Sequence, residues 1–162
     1  MPPPPAPMIS AIETLLASQD DAIAAYKAVV IRASAIPDIR RCGECLRGCE
    51  HAARELVRVH ARVLAKQGTW GRPWRGAKPK TALRIGALVD ADDAMFQMLA
   101  AAEADHEQKL HAVLGEGGLP RDVQALLEKI AADTAERRAW LDERTAGIRI
   151  PAANGARVAA RG

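Results

Sequence analysis

Aromatic side chains are scarce, at 3% of 162 residues, so any core has to be built from Ala, Leu, Val and Ile. Cysteine is limited to three residues, all between Cys42 and Cys49. An odd number in one short window excludes a disulfide framework and fits a reducing compartment, so a cytoplasmic protein is the expectation. No run of 18 apolar residues occurs. That excludes a membrane-spanning helix. Met1–Pro7 is nearly all proline and lacks the charged start and apolar stretch of a secretion signal. No phosphate loop, nucleophile elbow, kinase or protease signature is present, and Ser10, Ser18 and Ser34 do not stand beside a histidine and an acid in a catalytic pattern. The formal charge of +3 is small, with Lys, Arg, Asp and Glu interspersed, which argues for a solvated surface and against a nucleic-acid footprint.

Helical periodicity fills most of the remaining chain. Ile9, Ile12, Leu16, Ile23, Tyr26 and Val30 mark a helix over 9–33, with Gln19 in the middle of its stripe. Pro37-Asp38 is a start signal for the next, over 38–66, whose seam is Ile39, Cys42, Cys45, Cys49, Ala52, Leu56, Val59 and Val63. Gly43 and Gly48 weaken it by roughly 1 kcal/mol each relative to Ala, and fit a close helix approach. A third stripe, Ile85, Leu88, Met95, Leu99, Ala102, Leu110 and Val113, predicts one helix from 81 to 114, about 50 Å long at about 1.5 Å per residue. Gly115, Gly117, Gly118 and Pro120 make a turn. A fourth helix over 120–145 presents Val123, Leu126, Leu127, Ile130, Thr134, Arg137 and Leu141, and Gly147 ends it.

These elements predict an all-α four-helix bundle over 9–146, between a disordered proline-rich arm at 1–8 and a flexible basic tail at 147–162. The non-helical link between the second and third helices is about 12 residues, and an extended chain covers roughly 3.3 Å per residue. An up-down-up-down arrangement is therefore easy, and a crossover spanning the whole bundle is strained.

The order of features resembles a family of uncharacterised bacterial four-helix bundles within the ferritin-like superfamily, a domain of unknown function. The likeness rests on Ile12-Glu13-Thr14-Leu15-Leu16 followed by Asp20-Asp21 and Tyr26, then His51-Ala52-Ala53-Arg54-Glu55-Leu56 and a Gly- and Trp-containing link. It continues with Ala102-Glu103-Ala104-Asp105-His106-Glu107, Leu119-Pro120 and Leu126-Leu127-Glu128. Ferritin-like proteins with a di-iron centre carry Glu-x-x-His on two helices and a single Glu on each of the other two. Glu103 and His106 match one such pair. The second helix has Glu50, His51 and Glu55 without that spacing, the fourth has Asp133 and Glu136 without a histidine, and the first has Asp20 or Asp21 in place of Glu.

Three chemistries follow from the polar residues. Glu103 and His106 lie three apart and share a helix face, so with Asp20, Glu55 and Glu136 they form a candidate site for iron, manganese or zinc. Cys42, Cys45 and Cys49 could hold a soft cation such as Cu(I) or sense redox state, or simply pack as small apolar side chains. Asp92, within the third stripe, needs a partner if it is buried, and Arg137 is the candidate for a core polar pair. Trp70 and Trp74, interleaved with Arg72, Arg75, Lys78 and Lys80, suit an interaction surface or a cap on the end of the bundle. The leading expectation is a non-enzymatic structural or protein-interaction role, as a homo-oligomer or with a protein partner.

Overall fold

The computed structural model describes residues 5–66, 73–88 and 92–159, with side chains from 7 to 146. Every regular element among these residues is an α-helix: α1 (Pro5–Arg32), α2 (Ile36–Lys66), α3 (Lys80–Gly86), α4 (Asp92–Glu116) and α5 (Arg121–Ala159). None of them is long and apolar enough to cross a membrane. Two ends differ clearly from the periodicity. Pro5 and Pro7 fall in the first turn of α1, where their missing N–H groups cost nothing, so the helix starts four residues earlier than Ile9. Residues 1–4 of the expected arm lie outside the described residues. At the far end α5 runs on past Gly147, which alone costs a helix only about 1 kcal/mol relative to Ala, and through Pro151 and Gly155 to Ala159.

The larger correction concerns the stripe from Thr81 to Leu114. It belongs to two helices. α3 closes at Gly86 with short-range backbone bonds, Ala87 N to Arg84 O at 3.3 Å and Leu88 N to Ile85 O at 3.0 Å. α4 starts afresh with Asp92 and Asp93 in its first turn, where carboxylates oppose the positive end of the helix dipole. Because α3 is part of the link, the connection from α2 to α4 spans 67–91, which is twice the expected length.

That longer link makes a full crossover. Ser34, just after α1, donates from both its backbone N and its Oγ to Asp92 at the start of α4, at 3.2 and 2.6 Å. Glu13, early in α1, meets His60, late in α2. Arg62 pairs with Asp122 at the start of α5, and Arg144, more than halfway along it, reaches Asp38 and Asp93. So α1 and α5 run up while α2 and α4 run down. The order is up-down-down-up, in place of the up-down-up-down arrangement that a short link favours. Trp74 and α3 trace the ascent along α1: the Trp74 indole donates to Asp20 at 2.8 Å and Thr81 bonds Asp21. Gly76, at φ 88°, supplies a left-handed turn on this path. Gly117 and Gly118, at φ 72° and 74°, do the same between α4 and α5.

The core has two apolar halves. One gathers Ile12, Leu15, Leu16, Leu56, Val63, Leu110, Val123 and Leu127; the other gathers Val29, Cys42, Cys45, Ile85, Met95, Phe96, Leu99 and Leu141. Each fully buried leucine contributes about 2 kcal/mol of transfer free energy. Between the halves lies a layer that is polar and almost as dry.

Candidate functional site

Ser18, Gln19, Glu103, His106, Thr134 and Arg137 make up that layer, and all are buried. Tyr26 and Cys49 border it from the upper half. The residues come from core positions of α1, α2, α4 and α5, so helical spacing alone aims them at the bundle axis.

Glu103 is the centre. It has no solvent exposure, and Arg137 is 6% exposed. Arg137 Nε donates to Glu103 Oε1 at 2.6 Å, and the longer Nη2 contact to Oε2 is 3.4 Å. Tyr26 donates its hydroxyl to the same Oε1 at 2.8 Å, and Cys49 Sγ lies 3.8 Å away. Arg137 Nη2 also donates to Thr134 Oγ1 at 3.0 Å, while that hydroxyl donates to the Ile130 carbonyl at 2.7 Å. Burial alone would lower the Arg137 pKa; Cys49 and Glu103 beside it reverse that and raise it, so the guanidinium is a permanent cation. Burial, reinforced by the Glu103 charge, lifts the Tyr26 phenol well above its usual range and keeps it a donor. A buried ion pair survives only when its remaining hydrogen-bonding sites are met, and Tyr26 and Thr134 meet them.

His106 lies one turn beyond Glu103 with no solvent exposure. Its Nδ1 is 2.7 Å from Ser18 Oγ. Burial depresses its pKa to about 4, against the opposing pull of Glu103, so the imidazole is neutral at pH 7.

The candidate metal ligands are not assembled. Glu103 and His106 do face the axis, but Asp20 accepts from Trp74, Glu55 pairs with Arg58 at 2.6 Å on the surface, and Glu136 is exposed. Among the described residues no group of three or more His, Cys, Asp or Glu side chains is placed to hold a metal ion. Among the described residues the central carboxylate of Glu103 is paired with Arg137 and not gathered with other carboxylates.

The expected pair of Asp92 and Arg137 is also corrected. Asp92 begins α4 and binds Ser34, which holds its carboxyl below the usual range, and Arg137 binds Glu103 instead. The helix break at Gly86 is the reason, since it turns a mid-helix aspartate into a terminal one.

Cys42, Cys45 and Cys49 are all buried free thiols along one seam. Burial pushes Cys42 up to about 12 and raises Cys45 and Cys49, so in the metal-free chain the three thiols stay protonated at neutral pH. Gly43 and Gly48 mark no tight approach, because a Cβ there would meet only Arg47 Nη1 at 3.9 Å and Arg137 Nη1 at 3.8 Å. In the link, Trp74 is half-buried, with its ring edge-on to His60 at 6.4 Å, and Arg75, Lys78 and Lys80 are exposed. Trp70 and Arg72 lie outside the described residues.

The spacing of Glu103 and His106 pointed to this layer, but Tyr26, Ser18 and Thr134 were not singled out. Tyr26 looks like one more apolar residue of the α1 stripe, and Thr134 like a seam residue. Their signal is a coincidence of level: α1, α4 and α5 each interrupt an apolar stripe at the same height, while the α2 stripe runs on through Cys49. Compared with protein-family models, with curated proteins and with solved structures, the chain finds no match.

Proposed function

We propose that the chain is a non-catalytic helical scaffold of ferritin-like connectivity that acts through its surface, on a second copy of itself or on another protein. One crossover linking antiparallel helix pairs is the connectivity of ferritin-like bundles. The observation that carries the reading is the contact of Arg137 Nε with Glu103 Oε1 at 2.6 Å inside the dry layer. An internal cation stands where a metal-dependent bundle would gather carboxylates around an ion. The centre is thereby spent on holding α4 to α5 and, through Tyr26, to α1.

The upper end of the bundle supplies a surface. Ile31 is 82% exposed and Ile36 70% exposed, on either side of the turn from α1 to α2. Beside them a cleft of about 280 Å³ is lined by Ile36, Pro37, Arg40, Arg41 and Glu44. Large apolar side chains this exposed, five residues apart across one turn and with charge beside Ile36, fit a protein-binding patch. Light scattering of the full chain across a concentration series tests the self-association form. A dimer or larger species, reduced to monomer by Ile31→Asp with Ile36→Asp at unchanged helicity, supports it. A monomer at every concentration leaves the protein-partner form, and stoichiometric metal with turnover of a substrate would overturn the scaffold reading altogether.

A further inference from the structure

The layer around Glu103 contains two side chains with buried polar atoms that no other side chain or backbone group is placed to meet. Gln19 meets no hydrogen-bond partner at either Oε1 or Nε2, and His106 meets none at Nε2. Both residues have no solvent exposure. Buried polar groups are almost always satisfied, by protein or by ordered water, because an unmade bond costs about 1–3 kcal/mol. Ser34 with Asp92 and Ser18 with His106 fix the antiparallel register of α1 on α4, and that register sets Gln19 opposite His106.

The chemistry of the partner can be read from the atoms. Ser18 Oγ donates its one hydrogen to the Leu15 carbonyl at 3.0 Å. Where that hydrogen stays on the Leu15 carbonyl, Ser18 Oγ accepts from Nδ1 of the neutral His106 ring at 2.7 Å, and Nε2 then presents a lone pair. Nε2 therefore needs a donor. Gln19 lies against Cys49, whose sulfur is a weak acceptor for an amide N–H, and this leaves Oε1 as the atom still to be met. The partner has to be neutral, since Glu103 and Arg137 already balance each other. It has to be small, since it sits among fully buried side chains.

We propose that the bundle holds a structural water molecule between His106 and Gln19, donating one hydrogen to His106 Nε2 and the other to Gln19 Oε1. It ties α1 to α4 at the level of the ion pair, and it is a third element of the layer beside the Glu103–Arg137 pair and the Ser18–His106 bond. The site takes a single hydrogen-bond donor of one heavy atom, not an ion.

The test uses the full chain labelled with ¹⁵N at neutral pH. Long-range proton–nitrogen correlations report the tautomer of His106, and cross-relaxation with the solvent resonance reports long-lived water near the ring and the Gln19 amide. The expected result is hydrogen on Nδ1, an unprotonated Nε2, and water contacts to both side chains. In Gln19→Leu the water contact to the His106 ring disappears and the Nε2 resonance moves. Hydrogen on Nε2, or absence of water contacts in the wild-type chain, overturns the proposal whether or not the variant folds. Titration with Zn²⁺ separates the remaining case. A stoichiometric displacement of the Nε2 resonance makes the site a metal site and refutes the closed-centre reading as well. Missing water with no response to Zn²⁺ refutes the water alone.

Discussion

Replacing Arg137 by Met removes the guanidinium while keeping most of the side-chain volume, and it leaves Glu103 as a fully buried carboxylate. Tyr26 at 2.8 Å would be its one strong remaining hydrogen bond, because the Cys49 thiol at 3.8 Å is a weak donor. Breaking a buried pair by removing one member costs about 3–5 kcal/mol, since the survivor keeps its desolvation penalty. A domain of this size has about 5–15 kcal/mol in total, so the variant should lose at least about a fifth of its stability. At about 2–4 °C per kcal/mol the melting temperature should fall by roughly 10 °C. Glu103→Gln should also destabilise, since it strands the Arg137 charge. It keeps an acceptor for Tyr26, however, so the double variant Glu103→Gln with Arg137→Met should recover much of the loss. Urea unfolding followed by circular dichroism reads all four corners of this cycle. A cost below about 1 kcal/mol for Arg137→Met, with no coupling to Glu103→Gln, is the level of a solvated surface pair and would refute a dry, closed centre.

Three further outcomes follow from single contacts. The His106 pKa of about 4 lies below the ordinary 6.5, so the unfolded chain binds the extra proton first and stability falls as pH drops from about 6.5 to 4. At about 1.4 kcal/mol per unit this amounts to about 3 kcal/mol, and His106→Gln should show a correspondingly flatter slope across that window in urea titrations at fixed pH. Gly48→Ala should raise stability by about 1 kcal/mol, because a Cβ meets only Arg137 Nη1 at an ordinary 3.8 Å; a loss would mean that α2 and α5 press closer at this point. Asp92→Ala removes both bonds from Ser34 and a first-turn carboxylate, and should cost about 1–2 kcal/mol in thermal unfolding, with faster amide exchange at Ser34.

The helices were legible wherever an apolar stripe coincided with one packed face. Cys42, Cys45, Cys49, Ala52, Leu56, Val59 and Val63 recur at three and four and are all buried. The break after Gly86 was hidden because Ile85 and Leu88, on or just after α3, continue the phase of Met95 and Leu99 by coincidence while packing from the link. A local cue did exist: Gly86 followed by Asp90, Asp92 and Asp93 is a helix end followed by an acidic helix start. Missing it shortened the link and so favoured the wrong connection between the helix pairs. Of the central layer, Glu103, His106, Gln19 and Arg137 stood out as polar residues on or near apolar stripes. Their pairing did not, because periodicity places a residue on a face and says nothing about its height relative to other helices. Periodicity therefore puts Arg137 near the seam without showing that the carboxylate at its level is Glu103 and not Asp92.

The most direct test of a centre closed by its own ion pair is metal analysis of the full chain, purified without chelator from cells grown with iron, manganese, zinc and copper. Wild-type protein should carry far less than one metal per chain, and added metal should leave its melting temperature unchanged. Bound metal near one or two ions per chain, lost together with stability in Glu103→Gln, would contradict it.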